Sequence, residues 1–175
     1  PFKGTLMAIL ISPMIVPLII TSAGMFFFYS KIGLTHTYLG LILAHTALGT
    51  PFVVITVTAT LTGFDTNLIR ASQSLGADTM RTFFKVIMPL ILPGVISGAL
   101  FAFITSFDEV VVVMFVGSVE QITIPKQMWS GLRQETSPVI LCMATCLVAL
   151  SIGLLTTVEM LRRRSERLRG IKLHK

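Results

Sequence analysis

The chain has 175 residues, of which 53% are hydrophobic and only 13% charged, with a mean hydropathy of +0.85. A soluble domain carries roughly 25% charged residues; here the charges cluster between long uncharged windows, as a bilayer requires, so a soluble class is excluded and an all-α polytopic membrane protein is expected. The net charge of +6 does not call for a nucleic-acid partner, because the basic residues sit where the positive-inside rule places them.

The first expected span, 6–29, holds no charged residue. Pro13 and Pro17 fall inside it, and prolines are tolerated in membrane helices whose neighbours satisfy the freed carbonyls. Phe26 to Tyr29 form an aromatic end suited to an interface. After a short loop with Lys31 and Gly33, a second span is expected over 38–61, kinked at Pro51. His45 lies inside it. An ionisable group in a span is a functional candidate; the simpler reading is a neutral His hydrogen-bonded within the bundle.

The connection 62–88 carries Asp65, Arg70, Asp78, Arg81 and Lys85. Asp65 is placed to cap a helix over 67–75, which Gly76 ends. Asp78 or Thr79 then caps a second helix reaching Met88, with Phe83, Phe84, Val86 and Ile87 as its apolar face. Two short helices broken at a Gly make an elbow. A third span is expected over 89–107, with Pro89 and Pro93 in its first turns, where a missing N–H costs least. Asp108 and Glu109 end it. The apolar run over 110–118 is too short to cross a bilayer and is expected to be re-entrant or partly buried. A polar stretch, Gln121 to Glu135, follows, with Trp129 as an interface anchor.

The last span is expected over 137–160, followed by a basic tail over 161–175. Cys142 and Cys146 lie inside it, four residues apart. No His or carboxylate stands near them to complete a zinc site, and consecutive helical turns suit a disulfide poorly, so they read as packing residues. The chain starts at Pro1 with no signal peptide, and is read as lacking an N-terminal part. With four spans both ends share one side. That side holds eleven of the Lys and Arg residues, against three on the other (Lys31, Lys126 and Arg133), which puts the termini and the 62–88 connection in the cytoplasm.

The stretch from Arg70 to Gly94 reads Arg70-Ala71-Ser72, then Gly76-Ala77, then Val86-Ile87-Met88-Pro89. It resembles the cytoplasmic loop of the permease subunits of binding-protein-dependent ABC importers, whose pattern is Glu-Ala-Ala, three residues, Gly, nine residues, Ile-x-Leu-Pro. The spacing agrees at every anchor, counting Val86 for Ile and Met88 for Leu. Further likenesses, Phe107 to Val111, Pro125 to Ser130 and Ser137-Pro138, resemble the spermidine/putrescine subgroup. The resemblance implies a type I ABC importer permease fold, with four of about six spans present here, in a bacterial inner membrane. It also implies partners: paired ATP-binding subunits docking on the loop at Arg70, Ala71, Ser72, Gly76, Ala77 and Pro89, a second permease, and an extracytoplasmic solute-binding protein. The solute it implies is a polyamine or a similar small polar solute, since the subgroup also serves other small solutes. The sequence departs from the pattern at Arg70, where the family has Glu, and at Ser72, where it has Ala.

No Walker-type phosphate loop, catalytic triad, metal cluster or dinucleotide fingerprint is visible, so the chain is not expected to be an enzyme or to hold a cofactor. Asp108 and Glu109 are the candidate solute-path residues, since carboxylates at an outer mouth attract a cation; they read equally as an interfacial helix end or an interhelical contact. A secondary transporter or channel is the first alternative, and predicts charges inside the spans. A scaffold subunit is the second, and does not need the Arg70–Pro89 pattern.

Overall fold

The computed structural model describes residues 2–134 and 138–168. The expected start of the last span at Ser137 and the end of the basic tail, 169–175, fall outside the described residues. Of Arg133, Gln134, Val158 and residues 161–168 the backbone alone is described.

Among the described residues the regular structure is helical: α1 (Phe2–Ile15), α2 (Leu18–Lys31), α3 (Tyr38–Thr62), α4 (Asn67–Ser74), α5 (Thr79–Thr82), α6 (Met88–Phe107), α7 (Val111–Val116), α8 (Ile124–Gln134) and α9 (Pro138–Leu168). A π-helical turn, Phe83–Ile87, joins α5 to α6. Crossing a bilayer takes about 20 apolar residues. Among the described residues three helical runs meet that length: Tyr38–Thr62, Thr79–Phe107 and Pro138–Thr157, with 25, 29 and 20 residues. The helix α3 passes through Pro51 without interruption.

The region read as one continuous span over 6–29 differs. It forms α1 and α2, two helices of 14 residues bent by 109° at a short break. Pro17 has no N–H to continue α1 and biases Val16 away from helical backbone. Its carbonyl instead starts α2, accepting the N–H groups of Ile20 and Thr21 at 2.9 and 3.1 Å. Pro13 stays inside α1. The bent pair together has the apolar length of one span.

The most extensive helix pairing is α3 with α6. Lipid is as apolar as a side chain, so small residues decide how closely membrane helices approach. A Cβ placed on Gly98 would lie 2.8 Å from Val53 Cα, and one on Gly49 would lie 2.9 Å from Ala102 Cβ. Both are closer than packed atoms come, so these glycines set the helix spacing. Phe52 and Phe101 stack across the pair, with centroids 6.4 Å apart.

The short apolar run 110–118 contains α7, whose Val112, Val113 and Val116 are fully buried. Tyr29, Ala44, Leu48, Val112 and Val116 form one core cluster, with Leu18, Met25, Leu34 and Leu41 against it. His36 holds the end of α7. Its N–H donates to the Val116 carbonyl at 2.8 Å, and its Nδ1 donates to the Gly117 carbonyl at 3.1 Å.

Candidate functional site

The connection between α3 and α6 is a hooked elbow. Asp65 Oδ1 accepts the Asn67 N–H at 2.9 Å, and Asp78 Oδ1 accepts the Arg81 N–H at 2.7 Å. These are the two caps read from the sequence. Gly76 takes φ +81°, the left-handed region that favours glycine. The N–H groups of Gly76 and Ala77 turn back to the carbonyls of Gln73 and Ser72, at 3.0 and 3.1 Å, closing the C-terminus of α4. Across the bend the Ser72 and Thr82 hydroxyls share a hydrogen bond of 2.9 Å, and Thr82 is buried. The departure from the family pattern at Ser72 therefore ties α4 to α5.

No loop separates α5 from the span that follows. The helical run continues from Thr79 to Phe107. In the π-turn the Met88 N–H reaches back five residues to the Phe83 carbonyl. A regular α-turn there would press the Pro89 ring on the carbonyl four residues earlier, and the wider turn relieves that contact. Arg70, Ala71 and Gly76 are exposed, while Ser72, Ala77 and Pro89 are half-buried. Leu68, Leu75, Met80 and Phe84 also stand exposed around the bend, Leu75 to 88%. The elbow is stiff, amphipathic and rich in unburied apolar side chains.

Asp108 and Glu109 separate. Asp108 closes α6 and is exposed beside a cleft of about 300 Å³ between α6 and α9. Glu109 turns inward, and its Oε1 accepts the Val112 N–H at 2.8 Å in the first turn of α7.

A larger cleft, about 1080 Å³, is bounded by α3 and α6, by residues 120–125 and by Leu147 of α9. Its polar lining includes His45, Thr46, Thr50, Ser106 and Glu120. His45 Nδ1 and Ser106 Oγ share a hydrogen bond of 2.8 Å between α3 and α6, so His45 is bonded within the bundle and also borders the cleft. Segment 118–126 closes on itself. The Ser118 N–H donates to Gln121 Oε1 at 2.9 Å, and Lys126 Nζ donates to the Ser118 and Gln121 carbonyls at 3.0 and 3.1 Å. Sequence reasoning singled out neither Ser106 nor Glu120, since a lone serine in a span and a lone carboxylate in a polar connection carry no pattern. Among the described residues no group of three or more His, Cys, Asp or Glu is placed to hold a metal ion.

Residues 1–167 match the family described as binding-protein-dependent transport system inner membrane component. The chain belongs to that family. This inner membrane component is 31% identical over 163 residues to the spermidine/putrescine transport system permease protein PotC of Haemophilus influenzae, across 93% of the chain and 62% of that protein. It is 28% identical to the putrescine transport system permease protein PotI of Escherichia coli, across 92% of the chain and 60% of that protein. The chain thus spans about three-fifths of the length of these curated relatives. Among solved structures, the MetNI methionine ABC transporter in its inward-facing conformation is similar, with a TM-score of 0.73 and 22% identity over 93% of the chain and 73% of the MetNI chain. That likeness shows the fold, which is the type I ABC importer permease fold, and the inner membrane component is a multi-pass membrane protein.

Proposed function

We propose that this chain is the membrane-spanning permease part of an ATP-driven importer for a small polyamine. The observation that carries the reading is the elbow. A hook that is capped at both helices, locked by Ser72 and Thr82 and continuous with a span can move that span when a partner moves it. Its exposed Leu75 and Met80 suit a cleft on a soluble subunit. The proposed contact residues are Arg70, Ala71, Ser72, Gly76 and Ala77, with Pro89 at the junction to the span. Arg70 reverses the charge of the family's Glu, so its partner surface is proposed to be acidic or neutral.

The remaining parts follow from the same reading. A pair of ATP-binding subunits hydrolyses the nucleotide, a second permease completes the pathway, and an extracytoplasmic solute-binding protein delivers the solute. The Lys and Arg distribution supports a cytoplasmic elbow and C-terminus. The polyamine class rests on the names of PotC and PotI. Of the two carboxylates expected at the outer mouth, Asp108 is the one proposed to attract the solute, because Glu109 is engaged with α7. The spans over α3 and α6 carry no charged residue, which gives ion-coupled transport no footing.

The test is a crosslink in the assembled transporter. Ala71→Cys, in a chain with Cys142 and Cys146 replaced by Ser, should bond to a cysteine on the ATP-binding subunit. No crosslink in any nucleotide state would overturn the coupling role.

A further inference from the structure

We propose that Glu120 is the charge-selecting group of the large cleft, receiving the ammonium of a protonated amine before the amine moves along the α3 wall. The proposal rests on the importer reading above. Among the described residues, Glu120 is the one carboxylate that borders this cleft. It is exposed, and among the described residues its side chain has neither a hydrogen bond nor an ion pair. The nearest cation in sequence, Lys126, is already committed to the carbonyls of Ser118 and Gln121. Those same bonds, with the buried Gln121, fix the backbone on either side of Glu120. The carboxylate is therefore without a counter-charge, on a backbone segment that is held in place.

The wall beyond it has matching chemistry. Thr46 and Thr50 are one helical turn apart on α3, and their hydroxyl protons are spent on the carbonyls of Ile42 and Thr46, each at 2.7 Å. Their oxygens are left with lone pairs as acceptors. An ammonium has three donors and no acceptor, so it suits such a wall, whereas an anion would find these hydroxyl donors already used. The remainder of the lining is mostly apolar, which suits the methylene stem between the charges of a diamine. Such contacts are weak enough to release the solute, as passage requires.

The experiment uses the full transporter in membrane vesicles, with Cys142 and Cys146 replaced by Ser and a single reporter, Thr46→Cys, in the cleft. Its modification by a cationic and by an anionic methanethiosulfonate is timed, and the rate ratio is compared with that of a free thiol. With Glu120 present the cationic reagent should gain about tenfold, as clefts of one charge sign concentrate their counter-ions. Glu120→Gln should remove most of that gain and raise the KM for putrescine uptake about tenfold. An unchanged ratio, or unchanged putrescine KM, in Glu120→Gln overturns the proposal. Labelling needs no transport. A charge-dependent ratio in a transporter that moves no amine would therefore sink the polyamine reading and the amine role of Glu120 together, and leave only the field of Glu120 standing.

Discussion

Glu109 and Asp108 are neighbours in sequence, yet a helix end falls between their roles. Asp108 terminates α6, while Glu109 reaches forward to the first turn of α7, where the Val112 N–H has no partner within its own helix. Glu109 is 6% exposed, so removing its carboxylate leaves a buried donor without an acceptor. Glu109→Ala should lower stability by about 0.5–2 kcal/mol, the usual cost of losing a cap. Glu109→Gln keeps an acceptor oxygen and should recover most of that loss. Thermal unfolding of the detergent-solubilised transporter measures both, and equal Tm values for Glu109→Ala and the parent would show that the bond contributes nothing. The sequence located both carboxylates at the end of a span. Which one turns inward depends on α7 becoming a helix, and a run of valines carries no periodicity from which to read that. Glu120 was less legible still, because its significance comes from a cleft assembled by residues far apart in the chain.

At the scale of elements, the elbow was the most legible part, because its signals are local. Asp65, Asp78 and Gly76 each act within four residues of where they stand, so capping and turn chemistry read directly. The Ser72–Thr82 bond crosses ten residues and two helices, and no local rule indicates it. The break at Pro17 was ambiguous for another reason: a membrane span tolerates proline when neighbours compensate, and those neighbours are a tertiary fact. Gly76 provides a clean test of turn against contact. A Cβ there meets nothing within 4 Å, so a substitution is opposed only by φ +81°. Gly76→Ala should cost about 1–2 kcal/mol locally and weaken ATPase coupling, while Gly76→Asn, whose side chain tolerates that region, should be milder. The readout is ATPase activity stimulated by the solute-binding protein. If Gly76→Asn proved as damaging as Gly76→Ala, partner contact rather than backbone geometry would be what fixes glycine at this position.

At the scale of the whole molecule, one helix pair carries the fold and also walls the large cleft proposed above as the route. The same two helices, α3 and α6, pack through Gly49 and Gly98 and form a wall of the large cleft. Helix spacing and cleft shape are therefore coupled, and α6 is also the continuation of the elbow. A change that spreads the pair should act on stability and transport together. Gly98→Ala provides that change, since its Cβ would lie 2.8 Å from the backbone Cα of Val53, an atom that cannot rotate away. Overpacking of this kind costs about 1–3 kcal/mol. Gly153→Ala, on α9, is the matched control, because a Cβ there meets nothing within 4 Å. Gly98→Ala should lower the Tm of the solubilised transporter and reduce the transport rate, and Gly153→Ala should do neither. The two readouts can part in an informative way. A lower Tm with full transport would mean that the α3–α6 spacing supports the fold without shaping the solute route, and would move the route away from this cleft.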